Sequence, residues 1–286
     1  MQEINSNVYI ETGYAGVTLG AINQRHGLVL IDAPFHPEDI RSWRSSLVSL
    51  GGGVDRMLIN LDAHIDRIMG SWAMECTIVG HEDLAQLFQT RPFPYRSQAN
   101  ETGAEWETHE NLGTVRWAPP EISFTHEMRV HWDEAPILLE HRTGAEIGAL
   151  WVHMPEHKIL FLGDMVMTGQ PPFLGNANIP QWVGALQEVM DPAFRGYTLV
   201  GGRDGILQRD QVRWQIRYLE KIQKQLEKLK EKNAPEGEVE GLIPKLLAEF
   251  DLPQSLGDLY HRRLKWGLSQ YYLRNYFPEN LKEIEE

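Results

Sequence analysis

The sequence predicts an α/β fold of two sheets with helices on the outside, and three features lead there. Short apolar runs alternate with turn residues through roughly the first two hundred positions, as packed strands require. After Gly205 the apolar residues fall instead at spacings of three and four, the period of an amphipathic helix. With 286 residues and 42% hydrophobic content, the chain can bury a large core, and one elaborated domain is favoured over two independent ones.

The elements follow in order. Val8 to Thr12, Val17 to Ile22 and Leu28 to Ile31 read as strands. Ile40, Trp43, Leu47 and Leu50 give Pro37 to Leu50 a helical period, ended by Gly51-Gly52-Gly53. Met57 to Asn60 is a buried strand, and Thr77 to Val79 another, followed by a helix from Glu82 to Phe88 with His81 as its expected cap. Thr90 to Thr114 is polar and aperiodic, a long surface loop whose functional alternative is a lid. Strands return at Met128 to Trp132, Ile137 to His141, Ile147 to His153 and Ile159 to Leu162. Val212, Ile216, Leu219, Ile222, Leu226 and Leu229 then form the stripe of a long helix with a Lys/Glu face. Asn233 to Gly237 breaks it, and further helices are expected over Val239 to Phe250 and Leu256 to Tyr276. The last is rich in bulky side chains, among them Leu259, Tyr260, Leu264, Trp266, Leu268, Tyr271 and Tyr272. These either pack on the body of the chain or form a homodimer interface.

Charge and cysteine usage exclude several classes. A net charge of −13 argues against nucleic acid or an anionic membrane as partner, since either favours a basic face. Cys76 is the only cysteine, so an intramolecular disulfide and a cysteine-based zinc cluster are excluded. No apolar run approaches the roughly 18 residues of a membrane span, and Met1 to Asn5 lacks the basic start of a signal peptide. A cytoplasmic location is expected.

The motifs resemble those of the metallo-β-lactamase-fold superfamily. Gly27-Leu28-Val29-Leu30-Ile31-Asp32 resembles its early strand ending in aspartate, and Asp62-Ala63-His64-Ile65-Asp66-Arg67 has the frame of its His-x-His-x-Asp-His ligand motif. Arg142 to Gly148 resembles the loop that carries a Gly-His pair, and Pro155 to Asp164 the segment ending in the bridging aspartate. The helix opening at Trp182 and the loop Val200-Gly201-Gly202-Arg203-Asp204-Gly205 complete the order. The resemblance covers about residues 7 to 206. It implies a four-layer αββα sandwich over residues 1–206, with residues 207–286 a helical extension packed on it or forming a dimer interface.

The resemblance also implies a ligand set, and this chain departs from it. The positions matching the first metal's histidines hold Asp62, His64 and Ala145; those matching the second metal's own ligands hold Asp66, Arg67 and Arg203; Asp164 matches the bridging carboxylate. A guanidinium stays protonated and has no lone pair for a metal. A normal dinuclear zinc centre is therefore not expected. The carboxylates still need a cation, and a guanidinium fork matches them, so Arg67 and Arg203 are expected in the second metal's space, paired with Asp66 or Asp164.

Two readings follow. The favoured one is a metal-free or non-hydrolytic protein that binds a small anionic molecule through Arg67 and Arg203. The alternative is a hydrolase acting on an ester, lactone or phosphoester through one divalent ion, zinc, manganese or iron, on Asp62, His64, Asp66 and Asp164. Beside the site, Glu146 reads as an exposed loop carboxylate with metal ligation as its alternative, and His141 as a candidate for substrate contact. Cys76 reads as an apolar filler.

Overall fold

A computed structural model describes every residue except Gly52, 91–101, Asn111, 113–114, Glu134 and 282–286, with the side chains of 280 and 281 also left aside. Most of the predicted loop from Thr90 to Thr114, including the segment expected as a lid, lies outside the described residues.

The first sheet runs in spatial order β1 (Gln2–Asn5), β2 (Val8–Glu11), β3 (Leu19–Asn23), β4 (Gly27–Ile31), β5 (Asp55–Ile59), β6 (Thr77–His81) and β7 (Ile122–Phe124). It is antiparallel as far as β4 and parallel from β4 to β7. The second holds β8 (Glu127–Val130), β9 (Ile137–His141), β10 (Leu150–Met154), β11 (Ile159–Phe161), β12 (Thr198–Gly201) and β13 (Gly205–Leu207) as neighbours in that order. It is antiparallel except for the β11–β12 pair. The helices are α1 (Pro37–Val48), α2 (Ile65–Ile68), α3 (Glu82–Thr90), α4 (Ile179–Val189), α5 (Arg209–Glu231), α6 (Ile243–Leu247), α7 (Gly257–Tyr276) and α8 (Pro278–Leu281).

Successive strand residues face opposite sides, and this sorts the layers. Val29 and Ile31 of β4 join Val152, Phe161 and Val200 of the other sheet in the core between the sheets. Leu28 and Leu30 point the other way, onto Trp43 and Leu47 of α1. On the far side, Trp151, Leu160 and Leu199 meet Trp182 and Leu186 of α4, Leu219 and Ile222 of α5, and Leu264 and Leu268 of α7. The result is the four-layer αββα sandwich with an added C-terminal helical segment.

The C-terminal stripe that suggested a dimer interface is covered within the chain: Leu264, Leu268 and Tyr272 have no exposed surface. The helix expected over Val239 to Phe250 is instead a 3₁₀ turn, Glu236–Leu242, followed by α6. Pro244 lacks the N–H that a continuous helix would need, so it serves as a helix start. A capping box at the head of α5, where Gln208 N–H donates to Gln211 at 2.7 Å, explains why that helix begins several residues before its apolar stripe. The short strands β1, β7, β12 and β13 were not predicted; each has only three or four residues, too few to display a period. No helix among the described residues is long and apolar enough to cross a membrane.

Two parallel pairs carry the site. Ile31 lies beside Ile59, and Asp32 N–H continues the ladder to Ile59 C=O at 2.9 Å, so the chain leaving β4 runs beside that leaving β5. Phe161 lies beside Val200 in the same way, which brings Asp164 and Arg203 to the ends of β11 and β12. Parallel pairing puts both exits of each pair at the same end.

Candidate functional site: a buried arginine–carboxylate centre

The turn after β5 is held from within. Asn60 hydrogen-bonds the Ser71 hydroxyl at 3.0 Å and donates to Arg67 C=O at 3.3 Å, closing the loop over the one-turn helix α2. His64 is the residue before α2, and its N–H donates to Asp62 Oδ1 at 2.9 Å. This local geometry turns Arg67 inward, where it has no exposed surface.

All three guanidinium nitrogens of Arg67 face acids. Nη1 donates to Asp32 Oδ2 at 2.7 Å, and Nη2 donates to Asp164 Oδ1. Nε lies 2.9 Å from Asp62 Oδ1, an ion-pair distance, although its N–H is not aimed at that oxygen. Asp32 is fixed in turn: its φ is +57°, a backbone region that aspartate tolerates, and its Oδ1 accepts Leu61 N–H at 2.9 Å.

Arg203 makes the second half. Nε donates to Asp164 Oδ2 at 2.9 Å, and Nη1 donates to Asp66 Oδ2 at 3.0 Å and Glu105 Oε2 at 2.6 Å. Asp66 Oδ1 also accepts Trp106 N–H at 2.8 Å. Glu105 passes the network onward to Arg263 of α7, whose Nη2 donates to Glu105 Oε1 at 2.8 Å. Arg263 has no exposed surface; it also donates to Gly103 C=O at 2.9 Å and Pro171 C=O at 3.0 Å and lies 4.0 Å over the Phe173 ring. The C-terminal segment thus reaches the centre directly.

Burial and neighbouring charge compete at each group. Burial would raise the Asp164 pKa, but Arg203 and Arg67 hold it well below the usual carboxylate range. Burial opposes ionisation of Glu105 too, yet Arg263 and Arg203 bring its pKa down to about 2. For Asp32 and Asp66 burial wins despite the guanidinium beside each, and both rise to about 6. His64 is pushed up to about 9: burial disfavours its charge, but Asp164 and Asp62 more than offset that.

His64 forms the edge of the centre. Its Nδ1 lies 3.1 Å from Asp164 Oδ2 and 3.6 Å from Asp62 Oδ1, and its ring packs on Phe173 with centroids 4.2 Å apart. Ligand atoms of Asp62, His64 and Asp164 all lie within 4.8 Å of one another, a grouping that could hold a metal ion. Asp66, expected in the same set, is not part of it; its carboxylate is turned to Arg203 and the Trp106 amide.

One further expectation changes. Glu146 is buried rather than an exposed loop residue: Oε1 accepts from Ile147 N–H at 2.8 Å and Asn176 at 2.6 Å, and Oε2 lies 3.8 Å from His64 Nε2. Burial raises its pKa. His141 contacts Ala149 C=O at 2.9 Å and the Thr143 hydroxyl at 3.0 Å and stacks on His81, and none of these partners belongs to the arginine–carboxylate centre. His81 does cap α3, its Nδ1 accepting Asp83 N–H at 3.1 Å. Asp32, Glu105 and Arg263 were missed as site residues. Asp32 was visible only as a strand-end aspartate, while Glu105 and Arg263 are 158 positions apart and carry no joint sequence signal.

Gly202 lets the two halves close. A Cβ there would lie 2.5 Å from Asp164 Oδ1, 2.7 Å from Arg67 Nη2 and 2.7 Å from the Gly163 carbonyl carbon. No flexible side-chain end is available to give way. Gly202→Ala should therefore cost at least ~1–3 kcal/mol of stability, the usual penalty of overpacking. Urea unfolding of that variant is the check, and an unchanged midpoint would contradict the close approach.

No family model and no curated protein matches the sequence. Solved structures do resemble the fold. A metallo-β-lactamase family protein from Thermus thermophilus superposes with a TM-score of 0.65 at 17% identity, covering 99% of this chain and 95% of that one. A metallo-β-lactamase from Pontibacter korlensis superposes with a TM-score of 0.60 at 19% identity, covering 77% of this chain and 97% of that one. The chain therefore has the metallo-β-lactamase fold, extended by C-terminal helices that point a buried arginine at the centre of the site.

Proposed function

We propose that this protein is a metal-free, non-hydrolytic relative of the metallo-β-lactamase-fold enzymes, in which guanidinium groups supply the positive charge at the centre of the site. The single observation behind this reading is Arg67, unexposed, with its three nitrogens on three different carboxylates, Asp32, Asp62 and Asp164. A dication held by Asp62 and Asp164 would sit beside that fixed positive charge in a poorly hydrated space, where like charges repel strongly. The donor set does not fit a dinuclear zinc centre, because two of the matching positions are arginines that already neutralise the remaining carboxylates.

The same crowding argues against a small anion on Arg67 and Arg203. Every nitrogen of Arg67 faces a carboxylate, and besides its Nε, which lies 2.9 Å from Asp62 Oδ1 without a hydrogen bond, the pair leaves only Nη2 of Arg203 buried without a hydrogen-bond partner. An anion reaching it would meet Asp66, Glu105 and Asp164 at close range. On this reading the centre is a structural core, and any ligand binds elsewhere on the protein.

One observation favours a second reading, a mononuclear hydrolase: the convergence of Asp62, His64 and Asp164. Elemental analysis of unchelated protein, paired with thermal unfolding in added zinc, manganese or iron(II), separates the two. The metal-free reading expects well under one equivalent and no rise in melting temperature, since only a ligand of the native state stabilises it. About one equivalent with a clear rise would instead support the hydrolase. The double variant Arg67→His, Arg203→His should gain metal uptake if the guanidiniums fill metal space; unchanged uptake in a folded variant would count against that.

A further inference from the structure

A second concave site lies away from the arginine centre, between α1, the 3₁₀ turn Ser71–Met74 and the segment at Arg116. Its volume is about 570 Å³, within the range of small-molecule pockets. Pro37, Ile40, Trp72 and Ala73 give it apolar walls, and Arg41, Arg44 and Arg116 line it as well.

Trp72 is 48% exposed, the one aromatic among the large exposed hydrophobic residues described. A tryptophan left in water at a pocket wall offers a flat apolar face at little entropic cost to a ligand. The arginines differ in availability. Arg44 is locked, with Nη1 and Nη2 on Glu75 at 2.9 and 2.7 Å and a further bond to Ala73 C=O at 2.8 Å. Arg41 is only loosely associated with Glu38 at 3.5 Å, both side chains being well exposed. Arg116 lies 5.0 Å over the Trp72 ring, and among the described residues no acid pairs with it. Two guanidiniums with little or no compensation therefore border an apolar pocket on a chain whose net charge is −13.

We infer that this pocket binds a small organic anion with a flat apolar body, its ring against Trp72 and its acid group on Arg116 and Arg41. A guanidinium pairs well with carboxylate, sulfonate or phosphate oxygens, and a cation is repelled by the same residues. This pocket shares no lining residue with the arginine–carboxylate centre. The inference is independent of the metal-free reading, which is tested by metal content and not by ligand binding.

The test uses 8-anilinonaphthalene-1-sulfonate, an aromatic sulfonate, against its uncharged counterpart N-phenyl-1-naphthylamine. The full chain should bind the sulfonate at a saturable site with a dissociation constant of roughly tens of micromolar, a modest affinity for a ligand of that size. Trp72→Ala and Arg116→Glu should each weaken binding about tenfold, and added salt should weaken it further. Both side chains are exposed, so thermal unfolding should remain at the wild-type midpoint, which separates lost binding from lost fold. Equal affinity in wild type and both variants, or equal affinity for the uncharged dye, would overturn the assignment.

Discussion

Replacing Arg67 with methionine should destabilise the protein by about 3–5 kcal/mol, the cost of removing one partner from a buried ion pair. Three carboxylates, Asp32, Asp62 and Asp164, would be left without their common cation in a space almost closed to water. Methionine approximates the length of the stem, so a large loss would report the charge rather than a cavity. Arg67→Lys should recover only part of it, because one ammonium cannot face three separate carboxylates as a planar fork does. The pH dependence gives an independent check. Unpaired buried carboxylates escape their penalty by taking up protons, so the deficit of the methionine variant should shrink between pH 8 and pH 5. Urea unfolding at both pH values measures this. A loss below 1 kcal/mol at pH 8, or one that grows as the pH falls, would sink the view that Arg67 carries the charge balance of the centre.

Removing the Glu105–Arg263 contact should cost about 3 kcal/mol and loosen the C-terminal helix from the site. Arg263→Ala would leave Glu105 with Arg203 alone and leave Gly103 C=O and Pro171 C=O without their donor. The magnitude is the low end of the roughly 3–5 kcal/mol lost when one partner of a buried ion pair is removed, because Arg203 still faces Glu105. The sign is that of a depressed carboxylate. Its contribution is fully present above pH 4.5, declines as the pH falls from there toward 2, and is gone below 2. Glu105→Gln should therefore flatten the acid limb of the stability curve over that interval. A double-mutant cycle between Glu105→Gln and Arg263→Ala should give a coupling above about 1 kcal/mol, as contacting buried charges do. Additive losses would mean that the two residues act separately. Hydrogen exchange at the Trp106 amide, which donates to Asp66, offers a local readout and should quicken in either variant.

The layers were legible because they are written in periods of two and about 3.6 that survive in a single strand or helix. β4, α1, β9 and α7 fall at or within two residues of their predicted limits, since each has enough residues to show which side is apolar. The sandwich itself rested on ordered motifs, from Asp32 through Asp62–Arg67 and Asp164 to Arg203, and not on period alone. Sequence also determined which residue types enter the centre. Arginine at positions 67 and 203 excludes two nitrogen ligands whatever the geometry, because a guanidinium keeps its proton.

Partner choice belonged to the tertiary structure. Arg67 was expected on Asp66 or Asp164, but its three nitrogens are distributed over Asp32, Asp62 and Asp164, because the parallel β4–β5 pair sets Asp32 beside the turn that carries the arginine. Glu105 and Arg263 entered because α7 packs across the second sheet and brings a residue 158 positions away within 2.8 Å. Glu146 moved from solvent to the interior for the same kind of reason: two donors, Ile147 N–H and Asn176, meet its carboxylate where the loop folds inward. Local spacing specifies which way a side chain points along its own element. Which charges neutralise one another is decided only when distant segments share a space that excludes water, where an unpaired ion costs more than any local preference can offset.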